Sequence, residues 1–116
     1  MVLAAGTRVI YVAAIVHFDE TSAVLQCRGD EDRATQGSRR RALTRAIRAE
    51  RDVVVDLEGL VFADSSLMLD LAALARRLRG SGRALQLSGP QPQILNLIEL
   101  VGLHRLPGVR LDGALA

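Results

Sequence analysis

Apolar residues alternate along this chain of 116 residues between short β-branched runs and stretches with helical spacing, and this alternation constrains the fold more than any other feature. The run Val53–Leu57 is apolar except at Asp56 and begins with three valines, as is typical of a strand that is buried on both faces of a parallel sheet. The segment that follows, from Ser66 to about Arg79, has one apolar helical face formed by Leu67, Leu71, Leu74 and Leu78. Strands that alternate with helices in this way predict a parallel sheet with helical crossovers.

The other segments extend this pattern at both ends. An N-terminal hairpin is predicted from a run rich in β-branched residues, Val9–Val16, a polar turn, Asp19–Ser22, and a second apolar strand, Ala23–Cys27. A helix over Ser38–Arg51, capped by Ser38, has an apolar stripe of Ala42, Leu43, Ala46 and Ile47. The later predicted elements are a strand at Ala84–Ser88, a helix ending at Gly102 and an edge strand at Val109–Leu111. We therefore predict an α/β fold, with one mixed, mostly parallel sheet of about five strands, in a single domain over residues 1–116.

Composition excludes several classes of function. Aromatic residues make up only 3% of the chain and Trp is absent, so a base-stacking platform for nucleic acid is not expected. All 15 basic residues are Arg, which excludes mechanisms that need a Schiff-base or P-loop lysine and is typical of a GC-rich bacterial genome. A lone cysteine, Cys27, cannot form an internal disulfide, and His17 and His104 lie far apart in the sequence. No metal site and no bound cofactor are predicted.

The expected location is the cytoplasm. The segment Met1–Val16 lacks a basic start and is interrupted by Arg8, unlike a signal peptide, and no apolar run is long enough to span a bilayer. The formal net charge is only +2, so a direct nucleic-acid partner is not expected, and neither is a membrane partner.

The segment Asp64-Ser65-Ser66 carries the most informative polar residues, because it separates a buried strand from an amphipathic helix. Residue type alone favours a structural role, in which the serines cap the helix by accepting a hydrogen bond from an unpaired backbone N–H. The functional alternative is a serine that is modified. A phosphate at the start of a helix meets free N–H groups and the positive end of the helix dipole, so modification there is compatible with the folded state.

Four segments resemble the STAS domain family, the anti-sigma factor antagonists. Val53–Ser66 is similar to the family's central signature, which includes the aspartate and the serine after it. The other three are similar to the loop before the first helix, the fourth strand with its turn, and the end of the last helix: Gly29–Thr35, Arg83–Pro90 and Leu97–Leu103. Each segment is weakly specific by itself, but their common order over residues 22–111 identifies a STAS-like domain.

The resemblance implies a function. The serine directly after the aspartate is the family's phosphorylation site and corresponds to Ser65, with Ser66 as the second candidate. The implied partner is an anti-sigma factor that is also a serine kinase and supplies ATP and Mg²⁺. The unphosphorylated domain binds this partner and frees a sigma factor, and phosphate blocks the binding. The chain would then be a non-enzymatic phosphoprotein that regulates transcription, as a monomer or weak homodimer.

The partner-binding residues implied by the resemblance surround this serine and lie on the preceding loop: Asp32, Asp64, Ser65, Ser66, Leu67 and Met68. The family usually has glycine where this chain has Leu67. Leu67 and Met68 would therefore either restrict the approach of a partner backbone or form an apolar contact patch. The departure favours a second hypothesis, a structural STAS subunit without phosphorylation, of the lipid-transport or stress-signalling type. A third hypothesis is a small α/β enzyme that uses Asp32 and Asp64 as paired carboxylates.

Other polar and reactive residues are expected to have structural roles. The helix Ser38–Arg51 is rich in arginine, which is typical of a solvated face and less often of a face that binds an acidic partner: Arg39, Arg40, Arg41, Arg45, Arg48 and Arg51. Cys27 is expected to be a small buried hydrophobe, and His17 and His104 are expected to be structural or exposed.

Overall fold

A computed structural model describes residues 15–31 and 36–112 of the chain. These residues form six strands and three α-helices: β1 (Ile15–Asp19), β2 (Val24–Glu31), α1 (Gln36–Arg48), β3 (Val53–Asp56), β4 (Leu60–Ala63), α2 (Ser65–Gly80), β5 (Leu85–Ser88), α3 (Pro92–Val101) and β6 (Val109–Asp112). A short 3₁₀ helix, Leu103–Arg105, follows α3. The predicted strand–helix alternation is confirmed, and so is the last edge strand.

The strands form one mixed sheet in the order β1-β2-β3-β5-β6. Strands β1 and β2 are antiparallel, which confirms the predicted hairpin. The pairs β2–β3, β3–β5 and β5–β6 are parallel, as expected for strands joined by helical crossovers. The fold is a small α/β domain, as predicted, with six strands rather than about five.

One of the six strands, β4, was not predicted from the sequence. After β3 the chain turns at Leu57–Gly59 and then runs beside the second half of β2, where the Gly29 N–H donates to the Gly59 carbonyl at 2.9 Å. Strand β2 therefore pairs with β3 near its start and with β4 near its end. The two central residues of β4, Val61 and Phe62, are both exposed, so the strand lacks the period-two alternation that reveals a strand in a sequence. This strand carries the chain directly to Asp64.

The core lies between the sheet and the helices. The predicted apolar face of α2 is confirmed, because all four of its leucines are buried. On α1, Ala42, Leu43 and Ala46 are buried and Ile47 is partly buried against them. Cys27 lies buried on β2, as expected. Burying these side chains stabilises the domain through the hydrophobic effect and holds both helices against the sheet.

Several predicted boundaries differ from the structure. Helix α1 begins at Gln36, so Ser38 lies inside the first turn and is not the N-cap. Strand β1 reaches Asp19, which moves the hairpin turn to residues 20–23, and β2 continues into the segment predicted as a polar loop. The predicted strand residues Val9–Val12 lie outside the described residues. Helix ends fray and are uncertain by one or two residues, and strand ends depend on hydrogen bonds with partner strands that are distant in the sequence.

Candidate functional site at the start of helix α2

Asp64 connects β4 to α2 and caps the helix. Its backbone is extended, with φ −94° and ψ 176°, and its carboxylate Oδ1 accepts a hydrogen bond from the Ser66 backbone N–H at 3.0 Å. This is the geometry of an N-cap residue. The sequence suggested the two serines as caps and the aspartate as part of a turn, and the structure corrects this assignment. With the aspartate as cap, the serine hydroxyls are available for other interactions.

Ser66 is held by its neighbours. Its side chain is half-buried, and its hydroxyl donates a hydrogen bond to Asp64 Oδ1. The same hydroxyl oxygen accepts a hydrogen bond from Arg39 Nη2 at 3.1 Å. Both the proton and a lone pair of this hydroxyl are thus engaged inside the protein.

Arg39 links this turn to α1. It is only 1% exposed and is the buried charged residue of the described part of the chain. Its Nε lies 2.9 Å from Asp70 Oδ2 on α2, and the Asp70 side chain is 39% exposed. The guanidinium therefore connects Ser66, in the first turn of α2, with Asp70 in its second turn. A cation so deeply buried requires such partners, because burial of an unpaired charge is very costly.

The predicted solvated face of the arginine-rich helix is correct for Arg40, Arg41, Arg45 and Arg48, which are exposed, and wrong for Arg39. Arg39 precedes Ala42 and Leu43 by three and four residues, so it lies on the apolar face of α1. This spacing was visible in the sequence, and it is the signal that could have identified Arg39. Its partner, Asp70, lies 31 residues later and could not be identified from local spacing.

Ser65 differs from Ser66. It is the first residue of α2 and is exposed, and within residues 15–31 and 36–112 its hydroxyl makes no hydrogen bond. It also lies one turn before Leu69, which is 64% exposed, so the two side chains share one outer face of α2. The Ser65 hydroxyl is therefore accessible from solvent, and no contact of its side chain has to break for another molecule to reach it.

The charge of Asp64 is stabilised by its surroundings. The hydrogen bond donated by the Ser66 hydroxyl is the main reason that the pKa of Asp64 lies below its ordinary value of 3.8. Backbone N–H groups of Ser66 and Leu67 and the positive charge of Arg39 act in the same direction, and partial burial opposes them. Asp64 is therefore a carboxylate at neutral pH and a weak base.

Leu67 and Met68 do not form a contact patch on the surface. Both side chains are fully buried in the core, so they do not expose an apolar patch, and their contact with a partner stays a prediction. The reason is the spacing along α2, since Leu67 and Met68 precede the buried Leu71 by four and three residues and so lie on the same side of the helix. The exposed apolar side chains near this turn are Leu69, Val61 and Phe62. Two more, Leu100 and Val101, lie exposed at the end of α3.

The pairing of Asp32 with Asp64 lies outside what the structure describes, because Asp32 falls between the two described ranges. Within those ranges, no group of three or more His, Cys, Asp or Glu residues is arranged to hold a metal ion. His17 is exposed and His104 is half-buried. None of the described helices has the length and apolar character needed to cross a membrane.

A family model described as "Mlab, STAS domain" matches residues 15–111 of this chain. The match extends from the first residue of β1 to the third residue of β6, and thus includes every residue of the site at α2. A comparison with curated proteins found no match.

Proposed function

This chain belongs to the STAS domain family, and we propose that it is an anti-sigma factor antagonist whose binding to a kinase partner is controlled by phosphorylation of Ser65. Domains of this family generally act as regulatory or binding modules. The proposed partner is an anti-sigma factor with serine kinase activity, and the proposed location of the complex is the cytoplasm. Phosphorylation would release the partner, and the free partner would then bind its sigma factor.

The exposure of Ser65 is the observation that carries this proposal. Its hydroxyl is in contact with solvent, whereas the hydroxyl of Ser66 is engaged by Asp64 and Arg39. A kinase needs access to the oxygen that it modifies, and only Ser65 offers it in this turn. Asp64, Ser65 and the exposed side chain of Leu69 are therefore the residues that we place in the partner interface.

The proposed reaction transfers a phosphoryl group to Ser65. Its Oγ forms a bond to the γ-phosphorus of ATP held by the kinase, the bond from that phosphorus to the β-phosphate oxygen breaks, and ADP leaves. The hydroxyl proton passes to a base on the kinase or to water. The product adds a charge of about −1.5 to −2 to an exposed face of α2. Added charge and bulk beside Leu69 would oppose an interface that is partly apolar.

Phosphorylation by the kinase partner gives the direct test. The chain is incubated with the kinase and ATP, and the modified residue is identified by mass spectrometry. We expect phosphate on Ser65 in the unaltered chain and in Ser66→Ala, and none in Ser65→Ala. Phosphate on another residue, with Ser65 unmodified, would remove the central assignment.

Binding of the partner tests the switch itself. We expect Ser65→Ala to bind the anti-sigma factor and Ser65→Glu to bind it at least tenfold more weakly, since a carboxylate supplies part of the phosphate's charge at the same position. Ser38→Glu, an exposed serine on α1, is the matched control for added charge and should bind normally. Equal binding by Ser65→Ala and Ser65→Glu would count against a charge switch.

A second candidate function is a structural STAS subunit that forms a permanent complex without phosphorylation. The exposed apolar side chains favour it, because Phe62 is 56% exposed and Leu100 is 82% exposed. Such a subunit would be of the lipid-transport or stress-signalling type. A complex that forms in cells and survives both Ser65→Glu and Ser65→Ala would support this function over the first one.

A further inference from the structure

We infer that Arg39 is a positioning residue that decides which of the two adjacent serines can be modified, because it holds Ser66 as a structural hydroxyl and leaves Ser65 free to accept a phosphate. The inference rests on the proposed function for the identity of the modification. Its structural part, the difference between the two serines, can be tested on the chain alone.

Modification of Ser66 would break the hydrogen bonds of its hydroxyl. Phosphorylation replaces the Oγ–H bond with an Oγ–P bond, so the hydrogen bond to Asp64 Oδ1 loses its donor. The modified oxygen would then face a carboxylate oxygen with no proton between them. The phosphate would also displace Arg39 Nη2, which lies 3.1 Å from Ser66 Oγ.

The charge of a phosphate on Ser66 would destabilise the folded state further. A phosphate on Ser66 would place a charge of about −1.5 to −2 close to the carboxylate of Asp64 and to the ion pair that Asp70 forms with Arg39. Arg39 is the cation that contacts both Ser66 and Asp70, and its guanidinium already pairs with Asp70 at 2.9 Å. One guanidinium cannot neutralise two carboxylates and a phosphate dianion. Because Arg39 is 1% exposed, it also cannot follow the phosphate toward solvent without leaving the core.

Modification of Ser65 breaks none of these contacts. The side chain is exposed and, within the two described ranges, forms no hydrogen bond that a phosphate would replace. The neighbouring network of Asp64, Ser66 and Arg39 remains intact. The buried Arg39 of α1 thus distinguishes the two serine hydroxyls, because it holds Ser66 and leaves Ser65 accessible.

Phosphoserine inserted genetically at position 65 or at position 66 of the full chain tests the inference without a kinase. Thermal unfolding is followed by circular dichroism. We expect phosphoserine at position 65 to leave Tm within about 2 °C of the unmodified chain, and phosphoserine at position 66 to lower Tm by about 5 °C or more or to prevent folding. Equal shifts at the two positions, or a larger loss at position 65, would overturn the inference.

Alanine variants give a second measurement that does not depend on the modified chains. Ser66→Ala should lower Tm by about 3 °C or more, and Ser65→Ala by less than about 1 °C. In double-mutant cycles, Arg39→Met should be coupled to Ser66→Ala and not to Ser65→Ala. Arg40→Met, at the exposed neighbouring position, is the control and should be coupled to neither. Absence of coupling between Arg39 and Ser66 would contradict the role given to Arg39.

The outcomes separate this inference from the proposed function. Normal partner binding by the chain with phosphoserine at position 65 would remove the switch and leave the difference in Tm between the two serines unchanged. Equal Tm shifts would remove the positioning role of Arg39 and leave partner binding unaffected.

Discussion

Arg39 on α1 and Asp70 on α2 form an ion pair, with 2.9 Å between Nε and Oδ2, and the arginine is buried while the aspartate is partly open to solvent. The pair joins two helices that are separated by β3 and β4 in the chain. Since Arg39 also contacts Ser66, the position of α1 is linked directly to the turn that carries Ser65.

Substitution of Arg39 should destabilise the domain, because its hydrogen bonds to Ser66 and Asp70 are lost together with its charge. Arg39→Met keeps most of the side-chain volume but removes the hydrogen bonds that Arg39 donates to Ser66 and Asp70, so we expect a decrease of about 2 kcal/mol in the free energy of unfolding. The expected loss of stability is moderate because water reaches the Asp70 side chain. Arg40→Met should change stability by less than about 0.5 kcal/mol. Urea unfolding of both variants measures the difference, and equal effects would contradict the structural role of Arg39.

Asp64 should stabilise the domain in a pH-dependent way. Its folded-state pKa lies below 3.8, chiefly because of the hydrogen bond from Ser66, so the carboxylate contributes stability above that value and loses it as the pH falls through the folded-state pKa. Asp64→Asn still caps the helix but cannot ionise. We therefore expect this variant to lose less stability than the unaltered chain between about pH 5 and pH 2.

The capping role of Asp64 can be tested separately from the pH dependence of its charge. Asp64→Ala removes both the cap and the charge and should cost about 1 kcal/mol at pH 7. Asp64→Asn should cost less than this at the same pH. If the alanine and asparagine variants are equally stable at pH 7, the aspartate is not acting as the N-cap in solution.

The two leucines in the first turns of α2 should behave in opposite ways. Leu67 is fully buried, so Leu67→Ala leaves a cavity and should cost about 2–5 kcal/mol. Leu69 is 64% exposed, so Leu69→Ala should change stability by less than about 0.5 kcal/mol and should weaken partner binding. Unfolding curves and a binding titration with the anti-sigma factor test both. Normal partner binding by Leu69→Ala would place the interface elsewhere.

Gly89, at the end of β5, should tolerate alanine less well than Gly82. Both glycines have positive φ, +67° and +77°, which costs an alanine about 1 kcal/mol. A Cβ at Gly89 would also meet the Cγ atom of Glu58, whereas a Cβ at Gly82 would meet nothing within 4 Å. We expect losses of about 2 kcal/mol for Gly89→Ala and about 1 kcal/mol for Gly82→Ala. In a Glu58→Ala background the difference between them should disappear.

Much of the fold could be predicted because burial leaves a periodic trace in the sequence. Val53–Val55 is apolar throughout because β3 lies inside the sheet, with Val53 and Val55 buried and Val54 half-buried, and the leucines of α2 repeat because one side of a helix meets the sheet. Strand β4 left no such trace, since two adjacent residues, Val61 and Phe62, are exposed. Its pairing depends on β2, which lies about thirty residues earlier in the chain.

The site was located by its sequence, but the roles of its residues were not. The position of Asp64-Ser65-Ser66 between a strand and a helix indicated that one of these residues caps α2 and that a serine lies at the start of this helix. Only the tertiary structure decided that Asp64 is the cap, that Ser66 is held and that Ser65 is exposed. It also decided that Met68 faces the core, whereas the burial of Leu67 followed from the predicted apolar face of α2. The physical reason is that these roles depend on contacts between residues far apart in the chain, above all on Arg39, whose burial is stable only because α1 brings it to Ser66 and Asp70.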